Sequence, residues 1–415
     1  MSALRTVEEH LDDVLAAVVP TGTITLSLAA AAGLTLTEPV RARVDVPVFD
    51  NSAMDGFAVR FADVADASPE APVELRVVAD LPAGTAWDPA VGPGEAARIM
   101  TGSPVPGDAD AIVPFEDTAG GLADSLGVIA VRRAPRGGGA HIRRRGEDLR
   151  SGDVVLAAGT ELRAHQLAAA AATGVDRVTV ARPPRVIVVS TGDELVEPGA
   201  ELERGQIPES NSTLLAGLVR GTGAELMRAT CVSDDPDELR ALLADNTEAD
   251  LVITSGGVSA GAYEVVKQVL GSPEEQGEIT FTQVAMQPGK PQAFGRLSNG
   301  SLLFGLPGNP VSVAVSFETF VRPALLAMQG RTRLHRHTLR LPAAAGWRTP
   351  VGRRQYLPAS IDRSDPARWT VRPATPGGSG SHLAAGLAQA ESYAVVPAET
   401  EAVAEGDLVD VMLLT

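Results

Sequence analysis

Three short apolar runs in the middle of the chain each end in a polar, glycine-rich turn. The runs are Arg185–Ser190, Asp250–Thr254 and Leu302–Phe304. Consecutive Val, Ile and Leu residues without polar alternation are typical of strands that are covered on both faces. Ligands bind at the carboxyl ends of the strands in open parallel sheets. The pattern therefore predicts that the three turns lie along one sheet edge and form an active site there.

Helical patterns alternate with these apolar runs. The predicted helices span Asn211–Arg220, Pro236–Leu243, Tyr263–Leu270 and Val311–Met328. Further strands are predicted at Glu225–Val232 and Phe281–Met286. Because strands and helices alternate at the spacing of βαβ units, a mostly parallel sheet is expected. Residues 183–330 are therefore predicted to form a central α/β domain.

The N-terminal region carries helical and turn patterns. Thr6 and Glu9 have the spacing of a capping box before an amphipathic run, and a short second helix is expected at Ser27–Ala32. The turn-forming residues within 46–60 lie between extended segments, and a tight hairpin is the simplest structure for them, although this stretch alone does not decide it. An alanine-rich helix is predicted at Leu162–Thr173.

Two further regions are predicted to be rich in β-structure. Between Val73 and Arg133, short β-branched or apolar runs are interrupted by Pro and Gly, which indicates a small β-domain. A similar pattern covers His335–Thr415 and predicts a small C-terminal domain resembling a β-barrel. The expected fold class is a multidomain α/β protein.

The overall composition restricts the function. The 415 residues carry a formal net charge of −17, which argues against nucleic acid and against an anionic membrane surface as partners. The single cysteine excludes an intramolecular disulfide and fits a reducing compartment. The acidic N-terminus is not expected to be a signal peptide, and apolar runs such as Leu167–Ala172 are too short to span a bilayer. A cytoplasmic protein is expected.

Two of the turns have features of anion sites. Asn309 and Pro310 have the pattern of a helix start, whose free N–H groups favour an anion, although an ordinary helix cap explains them equally well. In the second turn, Gly256 and Gly257 would let a phosphate or carboxylate approach the backbone closely. Neither pattern is specific alone.

Carboxylates are expected beside these turns. Asp193 and Glu194 follow the first strand, and Asp234 follows another, whereas Asp235 fits a helix N-cap in a capping box with Glu238. Carboxylates around an anionic ligand require protonation or a cation. Oxygen ligands without a His/Cys set favour Mg²⁺, so we hypothesise a metal-bridged phosphate site held by Asp193, Glu194 and Asp234.

Two charged segments leave their interpretation open. Glu264 and Lys267 share one face of a predicted helix, where a surface ion pair is the simplest explanation. Three arginines at 143–145 lie beside Glu147 and Asp148, which is compatible with a solvated face, an ion-paired loop or an anion site.

Six motifs in order resemble one family. They are Met54–Val59, Arg98–Gly102, Arg143–Asp148, Ser190–Leu195, Ser255–Ser259 and Gly305–Pro310. The chain resembles the bacterial MoeA family, the molybdopterin molybdenumtransferases, which are related to the E domain of gephyrin. The resemblance implies that adenylyl-molybdopterin and molybdate react, with Mg²⁺, to give molybdenum cofactor and AMP. It also implies partners, namely the molybdopterin adenylyltransferase and the molybdoenzymes that receive the cofactor.

The resemblance also implies an elongated four-domain homodimer whose active site lies between subunits. The expected domains are a discontinuous linker and dimerisation domain (1–45 plus 141–182), a β-rich domain (46–140), the α/β molybdopterin-binding domain (183–330) and the C-terminal β-domain (331–415). Residues far apart in sequence, such as Asp55 and Glu194, would then meet across the dimer.

The resemblance implies a set of site residues. The expected catalytic residues are Asp55, Asp148, Glu194, Asp234 and Glu264. The expected substrate-binding residues are Thr101, Gly102, Thr191, Gly192, Ser255, Gly256, Gly257, Ser259, Lys267, Lys290, Pro307, Gly308, Asn309, Pro310, Arg353 and Ser381. The chain departs from the family pattern at Glu264, Gln283, Gln287 and Pro358. Two glutamines and a proline replace cations there, and Lys290, Arg353 and Arg354 remain nearby in sequence.

Two alternative functions stay open from the sequence. A related adenylyltransferase or nicotinamide-nucleotide amidase would share the central domain, but the flanking β-domains argue against it. A non-catalytic paralogue that holds molybdopterin or acts as a scaffold would fit the glutamine substitutions at 283 and 287.

Overall fold

The computed structural model describes residues 4–123, 125–245, 247–257, 265–270, 278–375 and 384–414. Three of the expected site residues, Ser259, Glu264 and Ser381, lie outside these ranges.

The first helix of the N-terminal region forms as predicted. Helix α1 (Val7–Ala17) begins at Thr6, whose side chain accepts from the Glu9 N–H while the Glu9 carboxylate accepts from the Thr6 N–H. Strands β1 (Thr23–Ser27) and β2 (Val40–Arg41) follow. The helix predicted at Ser27–Ala32 is wrong, because these residues form turns after an extended strand.

Within its described residues, the β-rich region contains seven strands, one short α-helix and a 3-10 turn at Phe115–Asp117. The strands and the α-helix are β3 (Asn51–Ser52), β4 (Gly56–Val59), α2 (Phe61–Val64), β5 (Val73–Leu81), β6 (Glu95–Ile99), β7 (Ala111–Pro114), β8 (Val128–Val131) and β9 (Ile142–Arg143). Five of the strands form a sheet in the order β7-β4-β6-β5-β8. The hairpin predicted within 46–60 is wrong, because β3 pairs with β9 and β4 lies between β6 and β7. Turn residues alone do not determine which strands pair.

Three elements connect this region to the centre of the chain. They are β10 (Val154–Leu156), α3 (Ala164–Ala172) and β11 (Arg177–Ala181). Strand β1 pairs antiparallel with β11, and β2 pairs antiparallel with β10. The segments before and after the β-rich region are therefore hydrogen-bonded to each other.

The central region alternates strands and helices. Its strands are β12 (Arg185–Thr191), β13 (Leu195–Val196), β14 (Ile207–Pro208), β15 (Glu225–Val232), β16 (Leu251–Ser255), β17 (Glu278–Gln283), β18 (Met286–Gln287), β19 (Pro291–Arg296) and β20 (Leu302–Leu306). Its helices are α4 (Asn211–Arg220), α5 (Pro236–Asp245), α6 (Val265–Leu270), α7 (Pro310–Ser316) and α8 (Arg322–Met328). A π-helical turn, Phe317–Val321, joins α7 to α8.

The main sheet of this region has the order β15-β12-β16-β20-β19-β17. Its first four strands are parallel, β19 pairs antiparallel with β20, and β17 pairs antiparallel with β19. This agrees with the predicted mostly parallel sheet. The prediction missed β19, because Pro291 and Gly295 weaken the strand pattern in the sequence. Strands β16 and β20 are buried along their whole length, as expected of strands covered on both faces.

The longest apolar helical stretch lies in the core. Pro310–Met328 is, within the described parts of the chain, the one helix long and apolar enough to cross a membrane, and its most apolar window is 89% buried inside the protein. The prediction that the apolar runs are too short to span a bilayer therefore fails for this stretch. Its burial instead marks it as a core helix of the central region.

The C-terminal region is β-rich, as predicted. It contains β21 (Thr338–Pro342), β22 (Trp347–Arg348), β23 (Arg354–Asp362), β24 (Thr370–Pro373), α9 (Ala384–Leu387), β25 (Ser392–Val396), β26 (Ala402–Val403) and β27 (Leu408–Leu413). A sheet of the order β18-β23-β25-β27-β21 includes β18 from the central region, and β24 pairs with β23. The multidomain α/β fold is thus confirmed.

One buried histidine makes stability depend on pH. His10 of α1 is 3% exposed, and its ring meets Phe320 edge-on at 4.6 Å between centroids. Burial, together with the nearby Arg5, lowers the pKa of His10 from 6.5 to about 4. The unfolded chain therefore binds the proton of His10 more tightly than the folded chain does. The stability that the neutral, buried His10 contributes is present above pH 6.5 and is lost as the pH falls towards 4.

We expect the folded chain to lose about 2 kcal/mol of stability through His10 between pH 7 and pH 5. Urea unfolding at the two pH values measures the loss, and the His10→Leu variant should show a smaller difference between them. If both proteins lose the same stability, the titration of His10 does not contribute.

Candidate functional site

A cleft of about 650 Å³ opens at the carboxyl ends of β12, β16 and β20. Residues of all three predicted turns line it. From the predicted set, the lining residues are Thr191, Gly192, Glu194, Asp234, Ser255, Gly256, Gly257, Lys290, Pro307, Gly308, Asn309 and Pro310. The predicted convergence of the three turns at one sheet edge is therefore present in the structure.

Close backbone contacts hold the turns together. The Gly256 N–H donates to the Leu306 carbonyl oxygen at 3.0 Å. A Cβ atom on Gly256 would lie 2.8 Å from the Thr191 carbonyl oxygen, and the backbone φ there is +94°. Glycine is required at this position because a side chain would collide with the neighbouring turn and strain the backbone.

Two polar atoms in the wall of the cleft have no hydrogen-bond partner within the described residues. They are Thr191 Oγ1 and Asn211 Oδ1. The amide nitrogen of Asn211 donates to the Gly308 carbonyl oxygen at 2.6 Å, which fixes the orientation of that side chain. Buried polar atoms are normally paired, so these atoms are suited to a polar ligand or to water.

The acidic side of the cleft contains Glu194 and Asp234. Asp193 is not among the lining residues, and its Oδ1 accepts the Asp234 N–H at 2.9 Å. Partial burial and the nearby carboxylates, Glu209 and Glu194 foremost, raise the pKa of the Cys231 thiol to about 11. The thiol therefore stays protonated at neutral pH, and the cleft edge carries concentrated negative charge.

The capping pattern predicted for α5 forms only in part. The Asp235 carboxylate accepts the Asp237 N–H at 2.9 Å, as an N-cap should. Glu238, however, accepts from the N–H and hydroxyl of Ser233 instead of reaching back to Asp235. The predicted capping box is therefore wrong, and Glu238 ties the helix to the end of β15.

Sequence reasoning missed the role of Glu209. This carboxylate is 5% exposed and accepts from the Ser190 hydroxyl at 2.8 Å and from the Ser212 N–H at 2.8 Å. It thereby joins the end of β12 to the first turn of α4. The serine three residues later was the signal in the sequence, since an acidic residue can cap a helix through that position.

The carboxylates do not form a complete metal site by themselves. Across the described residues, no group of three or more His, Cys, Asp or Glu side chains is placed to hold a metal ion. Mg²⁺, however, is usually bound by one or two carboxylates together with substrate phosphates and water. Glu194 and Asp234 fit that open type of site, whereas Asp193 does not because its oxygen is engaged by the backbone.

Helix α7 begins at the cleft. Asn309 is at the N-cap position with an extended backbone, and Pro310 occupies the first turn. The Asn309 side chain does not cap that turn, so it differs from the expected cap. The first-turn N–H groups of a helix have no partner within the helix, and this end is therefore suited to an anion.

Lys290 is the cationic side chain that lines the cleft within the described part of the chain. Arg353 does not line the cleft, but it donates to the side-chain oxygen of Gln287, a lining residue, at 2.6 Å. Lys267 is exposed and outside the cleft lining, and its N–H donates to the Gly257 carbonyl oxygen at 3.2 Å. The cleft thus keeps one cation beside its anion-binding turns.

Comparison with known proteins identifies the family. Family models match residues 5–174 (MoeA N-terminal region, domain I and II), 187–327 (probable molybdopterin binding domain) and 340–414 (MoeA C-terminal region, domain IV). Molybdopterin molybdenumtransferase 2 of Mycobacterium tuberculosis is 43% identical over 99% of this chain and 100% of its own. The chain belongs to the MoeA family.

Other relatives agree with the MoeA assignment. Molybdopterin molybdenumtransferase 1 of M. tuberculosis is 37% identical and covers 99% of each chain. A solved structure of a molybdopterin biosynthesis MoeA protein from Pyrococcus horikoshii has a TM-score of 0.82, with 31% identity over 100% of both chains. The multidomain MoeA fold therefore extends over the whole chain.

Four further site residues that the resemblance to MoeA predicts lie outside the cleft, namely Asp55, Thr101, Gly102 and Asp148. Asp55 accepts the N–H and the hydroxyl of Thr101 at 2.6 and 2.8 Å, and these bonds hold the pKa of Asp55 below its usual value. Gly102 follows in a left-handed turn, and Asp148 is exposed with its N–H on the Val46 carbonyl oxygen. One chain does not bring these residues to the cleft.

The structure also shows the partners of two arginines in the run at 143–145 and the locations of three departures from the MoeA pattern. Arg144 and Arg145 pair with Asp50 and Asp45 at 2.5 Å, so the ion-paired loop is the correct alternative for these two residues. Pro358 is buried in β23, Gln283 is exposed, and Gln287 lines the cleft. Of the departures within the described residues, only Gln287 reaches the site.

Proposed function

We propose that this chain inserts molybdenum from molybdate into adenylyl-molybdopterin and releases AMP. The observation that carries the proposal is the cleft itself, in which two anion-suited turns, one lysine and two carboxylates meet at the edge of the molybdopterin-binding-type sheet. The full-length match to curated molybdopterin molybdenumtransferases supports this reaction. A soluble, cytoplasmic setting is part of the proposal.

The backbone of the turns binds the anionic parts of the substrates. Gly256 and Gly257 allow phosphate oxygens to approach the chain closely, and the start of α7 offers further N–H groups. Lys290 supplies positive charge to a dianion such as molybdate. These contacts position the two substrates and exclude water between them, which is the main contribution the protein makes.

Glu194 and Asp234 are the residues that would hold Mg²⁺ together with substrate phosphates. When bound, the ion would neutralise the charge of the phosphate that leaves with AMP. The carboxylates would also orient the phosphate chain by keeping it on one side of the cleft. Without a cation, they would repel it.

A second copy of the chain would complete the site. Asp55, Thr101 and Asp148 lie outside the cleft of their own chain, and their polar groups are exposed. In a homodimer, the β-rich region of one copy would face the cleft of the other. A monomer is then expected to be inactive.

The test is AMP release from adenylyl-molybdopterin, measured with and without molybdate and Mg²⁺. The proposal requires release that depends on molybdate. A protein that binds the substrate but releases no AMP under any of these conditions would be the non-catalytic paralogue. Consumption of ATP would instead indicate an adenylyltransferase.

The Lys290→Gln variant is expected to raise KM for molybdate about tenfold with a small change in kcat, because one charge-assisted contact of roughly 1.5 kcal/mol is lost. Arg348→Gln is the matched control, since Arg348 is exposed and lies outside the cleft. An unchanged KM would place the molybdate contact elsewhere.

A further inference from the structure

A second cleft, of about 660 Å³, lies away from the molybdenum-insertion site. It is bordered by three segments, namely the loop before α3, helix α8 and the linker that leads to the C-terminal region. Five arginines line it: Arg163, Arg322, Arg331, Arg333 and Arg336. Glu161 is the one acidic residue among the described residues of the lining. We call this second cleft the arginine cleft.

The charge of the arginine cleft is opposite to that of the chain. The whole protein has a formal net charge of −17, yet the arginines here outnumber the nearby carboxylates. Glu161 is shared between Arg163, at 2.9 Å, and Arg331, at 3.4 Å. The buried Glu318 pairs with Arg336 through two bonds of 2.9 and 3.0 Å. Two carboxylates thus serve five guanidinium groups.

Two of these arginines are mostly buried. The side chains of Arg322 and Arg331 are 16% and 14% exposed. Arg322 donates to the Leu334 carbonyl oxygen at 3.0 Å and Arg331 to the Gly33 carbonyl oxygen at 2.9 Å. The Nε–H of Arg331 has no hydrogen-bond partner within the described residues. Donor capacity therefore remains after the fold's own contacts are made.

The arginines also repel one another. Burial and the neighbouring Arg336 lower the pKa of Arg322, and burial likewise lowers the pKa of Arg331. Both groups stay charged at neutral pH, because an arginine side chain does not deprotonate in proteins. Like charges that are held together in a partly dry site are unfavourable unless an anion compensates them.

We propose that the arginine cleft binds a small anion that carries phosphate groups. The planar guanidinium fork matches the oxygens of phosphate bidentately, which is why arginine dominates phosphate recognition. The volume is within the range of small-molecule sites, so a diphosphate or a phosphate ester fits as well as a single phosphate. The anion would bridge the three bordering segments and hold them in one arrangement.

Isothermal titration of the full-length protein with pyrophosphate and with inorganic phosphate tests the proposal. The double variant Arg163→Gln/Arg333→Gln removes two exposed guanidinium groups and should weaken pyrophosphate binding at least tenfold. The matched control Arg220→Gln/Arg228→Gln removes two exposed arginines outside the cleft and should bind as the wild type does. Pyrophosphate binding tighter than phosphate binding would assign the site to a diphosphate.

A variant that is expected to strengthen pyrophosphate binding excludes misfolding as the cause of weaker binding in the arginine variant. Glu161→Gln frees both Arg163 and Arg331, so it should tighten pyrophosphate binding several-fold. Lys290→Gln separates the two clefts, because binding in the arginine cleft should not respond to it.

Three results would overturn the proposal. The first is no binding of either anion to the wild type. The second is binding that Lys290→Gln abolishes and Arg163→Gln/Arg333→Gln leaves intact. The third is a change of oligomeric state in Arg163→Gln/Arg333→Gln with unchanged anion affinity, which would make the cleft a contact between subunits.

Discussion

Replacing Glu194 by Gln is expected to lower the rate of AMP release about 100-fold. The carboxylate lines the cleft beside the glycine-rich turns, where the adenylate would leave. Gln keeps the size of the side chain but removes its charge, so the ion that would neutralise the phosphate loses a ligand. Removing one charge-stabilising group from an active site typically reduces kcat by roughly two to three orders of magnitude.

The control for this prediction is Glu197→Gln. Glu197 is exposed, lies three positions later on the other side of β13 and does not line the cleft. Both variants should unfold at the same urea concentration, so that a loss of rate reports on the site. Full molybdate-dependent AMP release by Glu194→Gln would remove Glu194 from the mechanism.

Replacing Glu318 by Gln is expected to destabilise the central region by about 3–5 kcal/mol. The side chain of Glu318 is 3% exposed in the π-helical turn. It binds Arg336 through both oxygens, and Arg322 lies 3.7 Å away. The amide would present an N–H group to one of these donors and leave two partly buried positive charges without their counter-charge.

Urea unfolding of the Glu318→Gln protein measures the effect. Asp237→Asn is the control, because Asp237 pairs with Arg240 on the surface, where its side chain is 87% exposed. An exposed pair contributes about 0–1 kcal/mol, so the control should unfold almost as the wild type does. Equal stability of the two variants would show that Glu318 does not hold the helix against the C-terminal linker.

The sequence predicted the central region well because its signals are local. The bounds of α4 and β15 match the predicted segments, since apolar periodicity and a clear start and end define each element. The same holds for the capping box of α1 at Thr6. The glycine-rich turns were placed correctly at the sheet edge, because segments that follow neighbouring parallel strands all lie at the carboxyl ends of those strands.

The failures involve contacts between distant segments. Residues after Ser27 carry small and apolar side chains that suit a helix, but β1 pairs with β11 and the chain turns instead. Strand β4 is placed by two partners that the sequence does not reveal. The bond that Ser233 donates to Glu238 and the backbone contact at Asp193 are set by the loop geometry, which no spacing rule encodes.

The pairing of β1 with β11 also affects how the molecule is made. Thr23 cannot meet Ala181 until the whole β-rich region has been synthesised. Because chains emerge from the ribosome N-terminus first, the β-rich region can fold on its own before β11 is available to pair with β1. Closing the large loop between them carries an entropic cost, which an already compact insert reduces. A nascent chain halted before residue 177 should therefore hold a folded insert while β1 is still unpaired.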